Sequence, residues 1–359
     1  MAERGEHSLH EITTQTESWQ DAIDTVQKMD DALLMLMERN TDRRVLFIGC
    51  GSTYYLTQFA ASYFQSVTGL SCRALPSSEL YLFTEAAVTA DEPPPLVVAL
   101  SRSGETSETV MAVRKMRERG SDTLAISCYE STPLSAASHM TVAVRQGQEK
   151  SYAQTRSFAG MLVAVQAMAA VVSEDETLMN ELCLLPEVGQ HLIRRSGPMA
   201  KSYCKERYKR ITYLGSFALY GLAGEAMIKM KEMSLSTAEA FHFMEFRHGP
   251  IALVDDEHLI VGLLSDSARE YELGVLRDLR ARGGHTLAMG QDVDPLLGEV
   301  GSVFDLYAPK VSERARAVLY LPLLQLLAYY RAMARELDPD RPRNVEMAIR
   351  LDGTKMAAS

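Results

Sequence analysis

The chain has 359 residues, 47% apolar and 23% charged, which are values of a globular protein long enough for two hydrophobic cores. Its formal net charge of −10 argues against a general nucleic-acid surface but leaves room for a local basic pocket that takes an anionic metabolite. The scattered cysteines Cys50, Cys72, Cys128, Cys183 and Cys204 show neither a CxxC pair nor zinc-ligand spacing, and the N-terminus lacks a signal peptide's apolar core. The expectations are free thiols in a reducing compartment, no metal, no membrane span and a cytoplasmic location.

From the N-terminus, a polar arm (Ser8 to Glu17) comes first, placed to lie across a neighbouring domain or subunit. A helix follows, with Trp19, Ile23, Val26, Met29, Leu33 and Leu36 returning at helical spacing. Arg44 to Gly49 is a short buried strand, and Cys50-Gly51-Ser52-Thr53 turns it into a helix running to about Val67. Cys72 to Pro76 reads as a strand and Ser77-Ser78-Glu79-Leu80 as the start of a small helix. Beyond the Pro93-Pro94-Pro95 turn, the strand Pro95 to Leu100 runs into Ser101-Arg102-Ser103-Gly104-Glu105-Thr106-Ser107-Glu108-Thr109 and then a helix to Arg119. A helix cap explains Ser103 or Thr106. It does not explain five hydroxyls crowded at a fresh helix N-terminus, which is what a phosphate requires. Leu124 to Cys128 and Met140 to Val144 are further strands, and Thr155 to Val172 is a long apolar helix. Asp175 to Lys201 is mixed, with a break expected at Gly197-Pro198.

The pattern then restarts. Arg210 to Ser216 echoes Arg44 to Cys50, and His258 to Ser267 echoes the strand and loop that end at Ser103. Gly284 to Met289 echoes Ser121 to Ile126, Val303 to Ala308 echoes Met140 to Val144, and Ala315 to Met333 echoes Thr155 to Val172. The offset is roughly 165 residues, a period that means a duplicated domain rather than a solenoid. Short buried strands alternating with helices make each copy a parallel, three-layer α/β unit. The second loop, Ser265-Asp266-Ser267-Ala268-Arg269, has lost the glycine and gained an acid, so the first unit is expected to hold the phosphate.

The helix of the second unit is chemically dense. Glu225, Lys229 and Glu232 stand at i, i+4 and i+7 on one face, which a solvated salt-bridged surface also explains. Against that reading, the run begins where an open α/β sheet places its ligands. Glu245-Phe246-Arg247-His248-Gly249-Pro250 leaves the helical pattern as a rigid loop, and His248 is poised for proton transfer near neutral pH. No Walker pattern and no dinucleotide fingerprint is present.

Five segments resemble the sugar isomerase (SIS) proteins, and specifically the isomerase half of glucosamine-6-phosphate synthase. They are Gly49 to Thr53, Ser101 to Thr106, Glu225 to Glu232, Glu245 to Pro250 and Pro342-Arg343-Asn344. The resemblance implies two tandem three-layer αβα SIS domains, each with a mainly parallel five-stranded sheet. It divides the chain into an arm and helix (1–40), a phosphate-binding domain (41–180), a linker (181–200), a domain with the catalytic helix and histidine loop (201–340), and a tail closing over the site (341–359).

By the same resemblance, Ser101, Ser103 and Thr106 hold a sugar phosphate, with Arg102 in the loop and Ser52 and Thr53 beside it. Glu232 is the base moving a proton between C1 and C2, His248 comes from the partner subunit of a homodimer to help open the sugar ring, and Glu225 and Lys229 position the substrate. No organic cofactor is implied. There are three departures. The chain begins Met1-Ala2-Glu3-Arg4, and no glutamine-hydrolysing domain with its N-terminal cysteine is expected ahead of the first repeat. Met347 stands where the synthase has its imine-forming lysine. Ala240 to Arg247 is more similar to stand-alone deaminases of the family. The expected activity is therefore conversion of glucosamine 6-phosphate to fructose 6-phosphate and ammonia. The alternatives are an aldose–ketose sugar-phosphate isomerase, a fructosamine-6-phosphate deglycase, or a non-catalytic sugar-phosphate sensor.

Overall fold

The computed structural model describes residues 3–89, 92–204, 207–296 and 298–351. Residues 352–359 of the expected tail lie outside them. The chain opens with α1 (Glu6–Thr13), α2 (Thr16–Gln27) and α3 (Asp30–Glu38). The first unit then runs β1 (Val45–Gly49), α4 (Ser52–Thr68), β2 (Cys72–Pro76), α5 (Ser77–Leu82), α6 (Thr84–Ala87), β3 (Leu96–Leu100) and α7 (Ser107–Glu118). It is completed by β4 (Thr123–Ser127), α8 (Pro133–Ala137), β5 (Met140–Ala143) and α9 (Arg156–Val172). Next come α10 (Glu176–Leu182) and α11 (Leu185–Tyr203). The second unit is β6 (Arg210–Gly215), α12 (Leu219–Ser234), β7 (Ala238–Phe241), β8 (His258–Leu263), α13 (Arg269–Ala281), β9 (His285–Gly290), β10 (Ser302–Asp305) and α14 (Leu321–Ala334).

Each unit holds a five-stranded sheet, ordered β2-β1-β3-β4-β5 in the first and β10-β9-β8-β6-β7 in the second. Every strand pairing is parallel. All five residues of β1 are buried, because both faces of the sheet are covered. Val45 and Phe47 join a large core with α4, α9, α12 and α14, while Leu46 and Ile48 join a separate cluster against α7. The first of these cores is continuous between the two units, so the helices α4, α9, α12 and α14 form their common interior.

Several expectations change. The polar arm is helical. It becomes α1 and the start of α2, with Ser8, Glu11, Ile12 and Thr16 buried against the chain's own remaining fold. The break at Gly197-Pro198 does not occur, since α11 continues through Pro198. That helix is held by its buried face (Leu192, Ile193, Ser196, Ala200) and by Gly189, where an added Cβ would stand 2.1 Å from the Trp19 ring. Strand β7, carrying Glu239, was hidden by its mixed composition and its length of 4 residues. Among the described residues, the helical run Arg316–Ala334 is long and apolar enough to cross a membrane, but 83% of its most apolar window is buried inside the fold.

Candidate active site

Two loops meet at the carboxyl ends of the adjacent strands β1 and β3, where the order of strands reverses and open α/β sheets form their ligand crevice. In the first loop, Gly51 takes φ +56° and lets the chain turn sharply into α4. The Thr53 hydroxyl is spent on that turn, accepting from the Cys50 amide at 3.0 Å and donating to the Cys50 carbonyl at 2.9 Å. Ser52 is buried at the first helical position.

In the second loop, Gly104 takes φ +65°, and an added Cβ would sit 2.2 Å from Thr132 Oγ1. The Ser101 hydroxyl accepts from the Gly104 amide at 3.2 Å, and the Ser103 hydroxyl accepts from the Glu105 amide at 3.2 Å. Thr106 occupies the N-cap of α7, yet its side chain caps nothing. The helix-cap explanation of this loop therefore fails for both Ser103 and Thr106. Thr109 turns inward to Ser77 at 3.0 Å. Ser107 is taken by the C-terminal tail, its amide donating to Ile349 O at 3.2 Å.

The second unit's counterpart is closed from within. Glu272 accepts the Ser265 amide at 2.7 Å and the Ser265 hydroxyl at 3.0 Å, and Glu313 accepts the Asp266 amide at 2.7 Å. Asp266 itself is paired with Arg269 and Arg316. An internal carboxylate thus occupies the donors that an anion would use. Glu108, at the matching position of the first unit, makes no such bond to Ser101, and its Oε2 is buried without a partner.

Helix α12 is brought to this site by packing on α4. Gly221 and Gly224 face it, and Cβ atoms there would stand 2.5 Å from Phe59 N and 2.2 Å from the Tyr55 ring. This contact carries Glu225 toward Ser52. Glu225 and Lys229 are each 1% exposed, so the helix face is not a solvated salt-bridge stripe. Lys229 Nζ lies 3.7 Å from Glu225 Oε1 and makes its close ion pair with Glu232, whose side chain is 20% exposed. Neither Glu225 oxygen meets a hydrogen-bond donor at bonding geometry. Burial pushes the Glu225 carboxyl up to about 8, Lys229 and Ser52 pull the other way, and Glu232 adds to the rise. Burial works against the Lys229 ammonium, but Glu225 and Glu232 together overcome it and raise its pKa.

Arg102 is buried. Its guanidinium donates to Glu149 Oε2 at 3.1 Å, to Ser151 O at 3.2 Å and to Met347 O at 3.1 Å. Glu149 had no signal in the sequence, since its partners Arg102, Thr155 and Ser157 are joined only by the fold. The structure thus brings Ser52, Thr53, Glu225, Lys229 and Glu232 into one neighbourhood, beside the Ser101–Thr106 loop on the next strand. His248 stays apart. It is exposed after a short 3-10 turn, and among the described residues its ring makes no hydrogen bond or ion pair with these groups. No group of three or more His, Cys, Asp or Glu side chains among the described residues is arranged to hold a metal ion.

Comparisons with known proteins match this architecture. A family model for the SIS domain matches residues 40–171 and again 206–330, one match per sheet. A glutamine–fructose-6-phosphate aminotransferase (isomerizing) of Aquifex aeolicus is 28% identical over 351 residues, covering 96% of this chain and 57% of its own length. The chain therefore spans little more than half the length of that curated relative. The structure of tagatose-6-phosphate ketose/aldose isomerase from Escherichia coli superposes with a TM-score of 0.83 at 24% identity, covering 94% of this chain and 96% of that one. Glucosamine-6-phosphate deaminase from Thermotoga maritima gives a TM-score of 0.74 at 25% identity, covering 96% of this chain and 100% of that one. With both of its sheets matched by the same model, the chain belongs to the SIS domain family.

Proposed function

We propose that the chain is a sugar-phosphate aldose–ketose isomerase. The observation that carries this reading is the buried Glu225–Lys229–Glu232 cluster set beside the open loop of the first unit. Ser101, Ser103 and Thr106, with Ser52 and Thr53 adjoining, hold the phosphate at the N-terminus of α7. Glu232 takes the proton from C2 of the open-chain aldose and returns it at C1. Glu225, protonated at neutral pH, donates where negative charge develops on oxygen, and Lys229 stabilises the enediolate. His248, exposed and apart in one chain, reaches the site of a second copy in a homodimer and assists ring opening. Met347 has no amine, so the ketose is held without an imine to the chain. The reaction needs no metal or organic cofactor, because the carbonyl itself acidifies the neighbouring C–H.

This reading is supported by the SIS membership and by the isomerase and aminotransferase activities named for the relatives. A second reading adds amine release: with glucosamine 6-phosphate, the same proton shift leaves a C2 imine, and water hydrolyses it to fructose 6-phosphate and ammonia. It is favoured by the likeness, over essentially the whole of both chains, to the Thermotoga maritima deaminase.

Fructose 6-phosphate, tagatose 6-phosphate and glucosamine 6-phosphate, each incubated in deuterium oxide, separate the readings. Deuterium entering C1 or C2 without ammonia supports the isomerase, and ammonia from glucosamine 6-phosphate supports the deaminase. No exchange and no ammonia from any of them sinks both. Glu232→Gln should lower turnover by about a thousandfold, within the range for losing a general base, while phosphate-dependent binding survives. Turnover unchanged in that variant would remove Glu232 from the mechanism.

A further inference from the structure

We propose that Arg102 is a positioning residue: it locks the C-terminal tail onto the Ser101–Thr106 loop. The consequence for catalysis rests on the phosphate role given to that loop; the lock itself does not.

Arg102 joins separate parts of the chain. Its backbone carbonyl accepts from the Cys128 amide and the Ser127 hydroxyl, each at 3.1 Å, which ties the loop to the end of β4. One arm of its guanidinium is spent on Glu149 and Ser151 O, and the other holds Met347 O. Glu149 is itself fixed. It accepts from the Thr155 amide at 2.6 Å, the Thr155 hydroxyl at 3.0 Å, the Ser157 amide at 3.1 Å and the Ser157 hydroxyl at 2.5 Å. A buried arginine oriented by a fully bonded carboxylate is a rigid fork, and the tail carbonyl is its free prong's target.

The tail has further ties to the same loop. Ile349 O takes the Ser107 amide at 3.2 Å, Leu351 N donates to the Ser107 hydroxyl at 3.1 Å, and Arg350 pairs with Glu105. Between tail and loop lies a cleft of about 560 Å³, walled by Arg102, Ser103, Glu105, Tyr152, Met347 and Arg350. The hydroxyl-rich stretch is therefore divided. Ser101, Ser103 and Thr106 remain for a ligand, while Ser107, with Arg102, belongs to the tail. The order of the loop and the closure of the tail become a single event, achieved by hydrogen bonds and the Arg350–Glu105 ion pair.

Arg102→Lys separates this role from general stability. A lysine keeps a cation beside Glu149, so the fold persists, but one ammonium does not span Glu149, Ser151 O and Met347 O. In the full-length protein, with no sugar phosphate present, the variant should melt within a few degrees of the parent. Trypsin should cut its tail after Arg343 or Arg350 about tenfold faster, the scale of one lost charge-assisted hydrogen bond, as read by mass spectrometry. With substrate, KM should rise about tenfold and kcat change much less. A tail cleaved at the parent's rate overturns the lock. Should the variant not fold, hydrogen exchange of the parent's tail decides: protection at Leu351 supports the lock, and random-coil exchange there overturns it. If the parent turns over no sugar phosphate, the functional reading fails while the cleavage comparison still decides the lock.

Discussion

Glu225 and Glu232 share the single ammonium of Lys229, and the sharing is unequal. The close ion pair goes to Glu232, and Glu225 is left at 3.7 Å, buried, with only a weak pull from the Ser52 hydroxyl beside it. Burial therefore decides its state, and its pKa rises from 4.5 to about 8. The folded protein then holds this proton more tightly than the unfolded chain does. The associated stability is fully present below the unfolded value of 4.5, declines as pH rises, and is lost once pH has passed through about 8. Glu225→Gln mimics the protonated acid and carries no such titration. The melting temperature of the parent should thus fall relative to the variant by several degrees between pH 5 and pH 8.5, and the two should converge at the acidic end. Parallel melting curves across that range would mean that Glu225 is ionised throughout. The spacing of these residues on one helix face was legible in the sequence. Their burial was not, because the cover comes from α4, a helix of the other unit.

That cover is an element-scale device. Helices α4 and α12 approach closely only because Gly221 and Gly224 carry no side chains. The two positions differ in what an added methyl would meet. At Gly224 it collides with the Tyr55 ring, which has some freedom to turn. At Gly221 it meets backbone atoms, Phe59 N at 2.5 Å and Tyr55 O at 2.6 Å, and the helices must separate. Gly224→Ala should cost about 1–3 kcal/mol in urea denaturation, the usual penalty of overpacking. Gly221→Ala should cost at least as much and should also lower turnover, because it moves Glu225 and Lys229 away from Ser52. Equal activity in both variants would show that the helix spacing does not set the site. Small residues at the start of α12 are visible in the sequence as a turn. That they are an interface between units follows only from which helices the paired sheets bring together. Strand β7 is not legible in the sequence for a related reason: Ala238-Glu239-Ala240-Phe241 has little strand character alone and owes its place to pairing with β6.

The duplicated architecture was legible because buried parallel strands leave apolar runs and the runs recur at one period. What joins the ends of the molecule was not, because its partners lie more than three hundred residues apart in the chain. Helix α1 has Gly5 at its N-cap, which offers no side-chain cap. Its orphan amides at His7 and Ser8 are taken instead by Asp340, at 3.1 and 2.7 Å, with the Ser8 hydroxyl also at 2.7 Å. A buried carboxylate at a helix N-terminus satisfies both the donors and the dipole. From α1 the connection continues inward. Glu11 accepts from the Lys150 amide at 2.6 Å and binds the Ser151 hydroxyl, and Ser151 O accepts from Arg102. The N-terminal helix, the C-terminal segment and the Ser101–Thr106 loop therefore form one continuous polar frame. Asp340→Ala should cost about 2 kcal/mol, the upper range for a lost cap. The cost should appear first as faster hydrogen exchange in the amides of α1, with the sheets unaffected. The Asp340 carbonyl, which accepts from the Tyr152 amide at 2.9 Å, is retained in the variant, so any loosening at α1 is attributable to the carboxylate. Unchanged protection in α1 would assign the helix to the packing of Ile12 and the bonds of Glu11 instead.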